Sequence, residues 1–260
     1  MSLTEKPEYK EEWLNGVRYH VVHRQDIFDS IHWAAENGEG GNIMNVNIHA
    51  MNLAYEDPSF RHILNNADMV FVDGAGVKLG CKIARCDVGQ RLTPADWLEE
   101  MFEMCSQEQW PIFLLGDTDE MGERFEEAMS KRYPDCPFAG RHNGFFDRDG
   151  EENDKVIDMI NSSGAKVLLV GMSMPIQEKW IWDNRNKLTV PVKLATGAFH
   201  RIFTGDIDRA PKWVTDNGFE WLYRLAMQPH TWKRYILGNP VFMLRVAWHH
   251  ILGFRFKERT

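Results

Sequence analysis

Asp73 closes the apolar run Met69 to Val72 and is followed by Gly74-Ala75-Gly76. A carboxylate at a strand end, beside glycines that let a ligand approach the backbone, has the setting of a general base. An aspartate at a strand-helix junction also suits a helix N-cap, and on this feature alone capping is the commoner role. Asn45 and Asn47 lie on an apolar run from Ile43 to Ile48, with His49 following. At period two they share one face, where they could hydrogen-bond a sugar or a base, or serve as satisfied core and capping amides. Arg91 precedes Thr93-Pro94-Ala95-Asp96, a sequence suited to a capped helix start. That arginine either faces an anionic ligand or lies on the surface. Gly171 ends the run Val167 to Gly171, and Ser173-Met174-Pro175-Ile176-Gln177 opens the next helix. The free donors of such a first turn favour a diphosphate, and Gln177 falls within that turn; an ordinary amphipathic helix start is the plain alternative.

Other chemistries leave weaker traces. Gly74 and Gly76 lack the third glycine of a dinucleotide fingerprint, and GxxxxGK[ST], HExxH and GxSxG do not occur. Asp206-Ile207-Asp208 has the spacing of a metal-binding DxD, but it follows Thr204-Gly205 away from the expected strand ends and is read as a solvated loop, with no metal site assigned. Cys81, Cys86, Cys105 and Cys136 have neither CxxC spacing nor histidines at zinc-ligand distance, so they are expected to be reduced and structural.

The elements that must position these residues alternate. Apolar runs at Ile43 to Ile48, Met69 to Val72, Pro111 to Leu115, Val167 to Gly171 and Val190 to Ala195 are separated by segments of helical periodicity. Strand, helix, strand at this spacing predicts an α/β, Rossmann-like, mostly parallel sheet with helices on both faces. In such sheets ligands sit beyond the carboxyl ends of the strands, where Asp73, Gly116-Asp117 and Gly171 fall. The catalytic domain is assigned to residues 1–205, and residues 206–260 to a basic, helical C-terminal appendage broken at Pro229 and Gly238-Asn239-Pro240.

Charge supports that division. The chain carries a net −8, which argues against nucleic-acid binding. From Arg209 onward, nine basic residues face three acidic ones amid Trp and Tyr, the asymmetry of an acidic body whose tail meets an anionic surface. The tail's aromatics could instead pack on the body or join a second copy as a homo-oligomer. Removing residues 209–260 is expected to leave a folded body. The N-terminal segment lacks the pattern of a signal peptide and no run is long enough to span a membrane, so a cytoplasmic location is expected.

Many ordered segments resemble the bacterial WecG/TagA/CpsF glycosyltransferases (glycosyltransferase family 26), which include the N-acetylmannosaminyltransferases of wall teichoic acid. The similarity rests on Asn47, Asp57-Pro58, Ala67-Asp68-Met69-Val70, Asp73-Gly74-Ala75-Gly76-Val77, Arg91-Leu92-Thr93, Phe113-Leu114-Leu115-Gly116, Pro175 to Trp180, Gly197-Ala198-Phe199, Arg209 to Trp213 and Glu220 to Leu225. The resemblance implies an inverting, metal-independent transferase that needs no cofactor. It would move a sugar, N-acetylmannosamine-type or glucose and other hexoses, from a UDP-sugar to a polyprenyl-diphosphate-linked saccharide. That places it in cell-surface or exopolysaccharide synthesis, on the inner face of the cytoplasmic membrane. It makes Asp73 the catalytic base, puts Asn47, Arg91 and Gln177 in the substrate pocket, and gives Arg224 and Arg234 the diphosphate. Asn45 stands where many members have threonine, Gly116-Asp117-Thr118 where they have Gly-Gly-Lys, and His200 where aspartate is usual. The competing readings are a nucleotide-binding oxidoreductase and a non-enzymatic peripheral membrane module.

Overall fold

The computed structural model describes residues 5–216, 220–227 and 232–250, excluding the side chains of Lys212, Asp216, Glu220 and Arg224. Its centre is a six-stranded sheet. The strands are β3 (Gly41–Val46), β4 (Met69–Val72), β5 (Ile112–Gly116), β6 (Phe138–His142), β7 (Val167–Gly171) and β8 (Val192–Ala195), in the spatial order β4-β3-β8-β7-β5-β6, every pair parallel. A parallel sheet must be covered twice, which is why β4, β5, β7 and β8 are buried at every position.

Alternate residues feed two separate cores. Met44, Val46, Val70, Val72, Leu168 and Val170 face one side. There they meet α2 (Ile48–Glu56), α3 (Pro58–Asn66), α4 (Ala75–Ala84), α7 (Glu151–Ser162) and α8 (Ile176–Asn184). Ile43, Met69, Phe71, Leu114, Leu169 and Leu194 face the other. Their partners are α1 (Arg24–Asn37), α5 (Pro94–Glu108), α6 (Asp119–Arg132) and α9 (Phe199–Phe203), with a dense aromatic contact between Phe102, Phe125 and Phe203.

The structure adds elements that periodicity missed. An antiparallel hairpin of β1 (Glu11–Leu14) and β2 (Val17–His20) turns at Asn15-Gly16, both at positive φ, the pairing a tight hairpin turn favours. β6 was unforeseen because all its residues are only half-buried at the sheet edge. The first apolar run also ends sooner than expected. β3 stops at Val46, Asn47 caps α2, and Ile48 opens that helix, so Asn47 is a helix cap and not a strand residue.

The C-terminal segment comprises α10 (Lys212–Asp216), α11 (Glu220–Met227), a turn of π-helix (Lys233–Leu237) and α12 (Gly238–His250). Gly238-Asn239-Pro240 does not break the chain as expected. It forms the first turn of α12, where a proline's missing N–H costs nothing. Pro229 lies outside the described residues. α12 packs across α2 and α4 with Phe242 and Val246 fully buried in the first core. Removing residues 209–260 would uncover the part of the first core that lies beneath α12. Among the described residues no helix is long and apolar enough to cross a membrane.

Candidate active site

Asp73 follows β4 directly, its backbone N–H donating to the Val46 carbonyl of β3 at 2.9 Å. The N-cap of α4 is Gly74, at φ 95°, so Asp73 stands one residue outside the helix. Capping, the commoner role for such an aspartate, is not the position this one holds. Nothing lies within 4 Å of where a Cβ on Gly74 would sit, whereas one on Gly76 would strike Ile48 at 2.2 Å. Gly74 serves the turn and Gly76 the packing of α4 on α2.

Two cavities meet at this point. The larger, about 520 Å3, runs from Asp73 and Gly74 past Leu79 and Arg91 to Trp221 and Met243. The smaller, about 340 Å3, extends over Asn45, Ser173, Thr196 to Phe199, Asp208 and Arg209. Asn47, His49, Asp73, Arg234 and Tyr235 line both. The sheet accounts for this convergence. β3, β4, β7 and β8 run parallel and release their loops at one end, and the π-helical turn supplies the opposite wall.

Each wall residue has a defined support. Asn45 Nδ2 donates to the Ala195 carbonyl at 2.9 Å, tying the end of β3 to that of β8. Asn47 Oδ1 accepts the Ala50 N–H at 3.1 Å. Arg91 lies 3.7 Å from Asp96, which also closes the capping box of α5 with Thr93 and pairs with Arg209. His49, in the first turn of α2, is held neutral: burial first, and the Arg234 cation second, lower its pKa to about 4. It is therefore a neutral hydrogen-bonding group at physiological pH.

Other residues named from the sequence lie elsewhere. Gln177 is fully buried and lines neither cavity; its Oε1 accepts the Gly197 N–H at 3.1 Å. Gly171 is likewise beneath the wall: a Cβ there would meet the His200 ring at 2.7 Å and the Gly197 carbonyl at 2.8 Å. Both sit under the loop after β8, placed there by the packing of α8 and β7. The side chain of Arg224 lies outside the described residues, while Arg234 lines both cavities. Asp206 and Asp208 are exposed on a loop, as read from the sequence; Asp208 also lines the smaller cavity, and Asp206 pairs with Arg124 at 3.0 Å and Arg201 at 3.2 Å. Tyr235, Arg209 and the Thr196-Gly197 corner went unassigned to the pocket, because no local pattern shows which tail residues fold back over the strand ends.

The sequence pattern described as the Glycosyl transferase WecG/TagA/CpsF family matches residues 12–255. The chain belongs to this glycosyltransferase family. Among its relatives are N-acetylglucosaminyldiphosphoundecaprenol N-acetyl-beta-D-mannosaminyltransferases of Staphylococcus aureus, from strains MRSA252, MW2 and NCTC 8325. Each is 28% identical over 207 residues, 79% of this chain and 79% of the relative. The WecG/TagA/CpsF assignment turns the cavities at Asp73 into the candidate site of a glycosyl transfer.

Asp117 and His200, both read from the sequence as departures from what the family resemblance implies, touch. Asp117, after β5, accepts from His200 Nε2 at 2.7 Å and from Arg201 Nη2 at 2.6 Å and Nε. Burial alone would raise the Asp117 carboxyl, but the Arg201 and His200 hydrogen bonds outweigh it and hold it well below the carboxylate range. His200 is itself lowered, mainly by burial, so Arg201 carries the positive charge. This group braces α9, whose Phe199 and Ile202 line the smaller cavity. Because the folded-state pKa of Asp117 is depressed, its stabilisation is full above the ordinary carboxylate pKa and is lost as pH falls through the folded value. Asp117→Asn is expected to cost about 2 kcal/mol in denaturant unfolding at pH 7, with the difference shrinking in strong acid. An equal difference at both pH values would refute the assignment.

Proposed function

We propose that this protein transfers a sugar, N-acetylmannosamine-type or another hexose, from a UDP-sugar to a polyprenyl-diphosphate-linked saccharide with inversion at the anomeric carbon. The observation that carries this reading is the position of Asp73 at the seam of two cavities, one for each substrate. The smaller, with Asn45, Asn47 and the Thr196-Gly197 backbone, suits a sugar nucleotide. The larger combines Arg91 and Arg234 with Ile48, Leu79, Trp221 and Met243, a mixture suited to a diphosphate attached to a lipid.

In a single displacement, the acceptor hydroxyl oxygen bonds to the anomeric carbon as the bond from that carbon to the UDP oxygen breaks. Asp73 takes the hydroxyl proton and UDP departs with the bonding electron pair. Arg234 is set to balance the charge that develops on the diphosphates, so the transfer runs without a metal ion. Leu222, Ile236, Leu237, Leu244 and Trp248 are all exposed on the same C-terminal segment. Among basic residues, these apolar groups suit docking to the inner face of the cytoplasmic membrane, where a lipid-linked acceptor resides.

The test is transfer from a panel of UDP-sugars, including UDP-N-acetylmannosamine and UDP-glucose, to short-chain polyprenyl-diphosphate acceptors, with and without EDTA. Turnover with one donor, unchanged by EDTA and giving the inverted anomer, is expected. Retention of configuration or loss of activity in EDTA would overturn the mechanism. Arg234→Ala is expected to raise KM for a diphosphate substrate about 10- to 100-fold with a smaller change in kcat, the scale of one lost charge-assisted contact. Unaltered KM values for both substrates would remove Arg234 from the site.

A further inference from the structure

Beneath the smaller cavity lies a hydrogen-bonded chain that the transfer step does not use. Glu178 is fully buried on α8. Its Oε1 accepts from Gln177 Nε2 at 2.7 Å, and Gln177 Oε1 in turn accepts the Gly197 N–H at 3.1 Å. Glu178 Oε2 is buried with no hydrogen-bond partner among the described residues. Gly197, at φ 58°, turns the wall between Thr196 and Ala198, and a glycine in that left-handed conformation has no side chain to anchor it. The amide hydrogen bond from Gly197 is thus the corner's tie to the helix behind it.

We propose that Glu178, acting through Gln177, is a positioning residue that fixes the Gly197 corner and thereby sets the affinity of the smaller cavity for its nucleotide ligand; the nucleotide part rests on the donor reading given above. For a fully buried acid with one oxygen unpaired, ionisation is costly and the neutral form is favoured. Burial raises the Glu178 carboxyl to about 7 against the opposing hydrogen bond from Gln177. Among the described residues, burial and hydrogen bonds alone shift it. Arg61 of α3 binds the Ala54 carbonyl, His62 of α3 meets the Trp182 ring, Lys193 of β8 binds the Val190 carbonyl, and Lys179 of α8 itself pairs with Asp57. As a neutral acid, Glu178 fits its site. Above its pKa, the buried charge strains the helix start and the corner it holds.

The linkage has a definite sign. The folded-state pKa is raised, so the folded protein holds a proton that the unfolded chain has lost, and stability falls as pH rises from the ordinary glutamate range through about 7. Glu178→Gln mimics the neutral acid and removes that dependence.

The experiment compares wild type, Glu178→Ala, Glu178→Gln and Asn153→Ala by amide hydrogen exchange, UDP binding calorimetry and donor kinetics. Asn153 receives the Trp180 indole hydrogen bond at 2.7 Å on the same helix and touches neither Gln177 nor Gly197, so it reports general loosening of α8. Glu178→Ala is expected to speed exchange at Gly197 and weaken UDP about tenfold, with KM for the donor rising more than kcat falls. Glu178→Gln should restore both at pH 7 and keep UDP affinity flat above pH 7, where wild type declines. Asn153→Ala should lower Tm and leave UDP affinity within about twofold.

Unchanged exchange and affinity in Glu178→Ala, equal weakening in Asn153→Ala, or no rescue by Glu178→Gln would each overturn the proposal. Should Glu178→Ala fail to fold, parallel alkaline declines in wild type and Glu178→Gln would overturn it. Exchange at Gly197 is read without any donor. A wild type that transfers no sugar therefore defeats the functional reading while leaving the positioning role decided on its own.

Discussion

Replacing Asp73 by Asn is expected to lower sugar transfer by about 10^2- to 10^4-fold while leaving the fold and UDP affinity intact, the range that loss of a general base produces. The asparagine keeps the size of the side chain and the backbone hydrogen bond to Val46, and it removes only the group that takes the acceptor proton. Because Asp73 lies outside α4, with Gly74 at the N-cap, the substitution should cost little stability. His49 is already unprotonated in the physiological range, its pKa lowered to about 4 by burial and then by the neighbouring Arg234. Activity should therefore show no histidine-like acid limb near pH 6.5 that disappears in His49→Gln. Single-turnover measurements with saturating donor check the first point. A mutant within about threefold of wild type would transfer the catalytic role to another residue.

Phe242→Ala is expected to destabilise the protein by about 3–5 kcal/mol, the usual cost of emptying a buried phenylalanine site. Its effect on transfer should exceed what the loss of folded protein explains. The ring is 1% exposed and lies so close to Gly80 that a Cβ there would come within 2.8 Å of it. Val246 is buried in the same core and Met243 packs against it, while the hydrogen bonds of α12 lie nearer the surface. Asn52 Nδ2 donates to the Gly238 carbonyl at 2.8 Å, Arg245 reaches Asn52 Oδ1 at 2.9 Å and Glu56 at 2.6 Å, and Tyr55 meets His249 at 3.0 Å. Such half-exposed bonds contribute modestly, so Phe242 and Val246 provide most of the attachment. α12 and the turn before it carry Arg234, Tyr235, Asn239 and Met243, one wall of the larger cavity. Loosening the helix should withdraw that wall before the sheet unfolds. Denaturant titration followed by tryptophan fluorescence, alongside transfer assays at a temperature where the mutant remains folded, distinguishes the two effects. A loss of activity that tracks unfolding alone would refute the coupling.

The parallel sheet was legible because its strands are buried on both faces. All five apolar runs read from the sequence match strands within two residues at either end, and the helices between them keep their periodicity. The exceptions have local physical causes. β6 is an edge strand with every residue half-buried, so it has no apolar run to detect. The hairpin at Asn15-Gly16 is only four residues long on each side. At Asn47 an amide capped a helix where a continuous apolar run suggested a longer strand.

By itself, the sequence determined the α/β class, the family, and the aspartate at the strand end, because hydrophobic period, strand-end position and ordered motifs are all short-range properties of the chain. Only the tertiary structure decided that Asp73 joins two cavities and that Arg234 and Tyr235 close over it. It alone put Gln177 and Gly171 beneath the wall, and brought Asp117 to His200 and Arg201 across 83 and 84 residues of chain. Those pairings depend on which strands lie side by side and on where α12 finds apolar surface to bury. Such contacts are set by the packing of the whole sheet, and no window of sequence contains them.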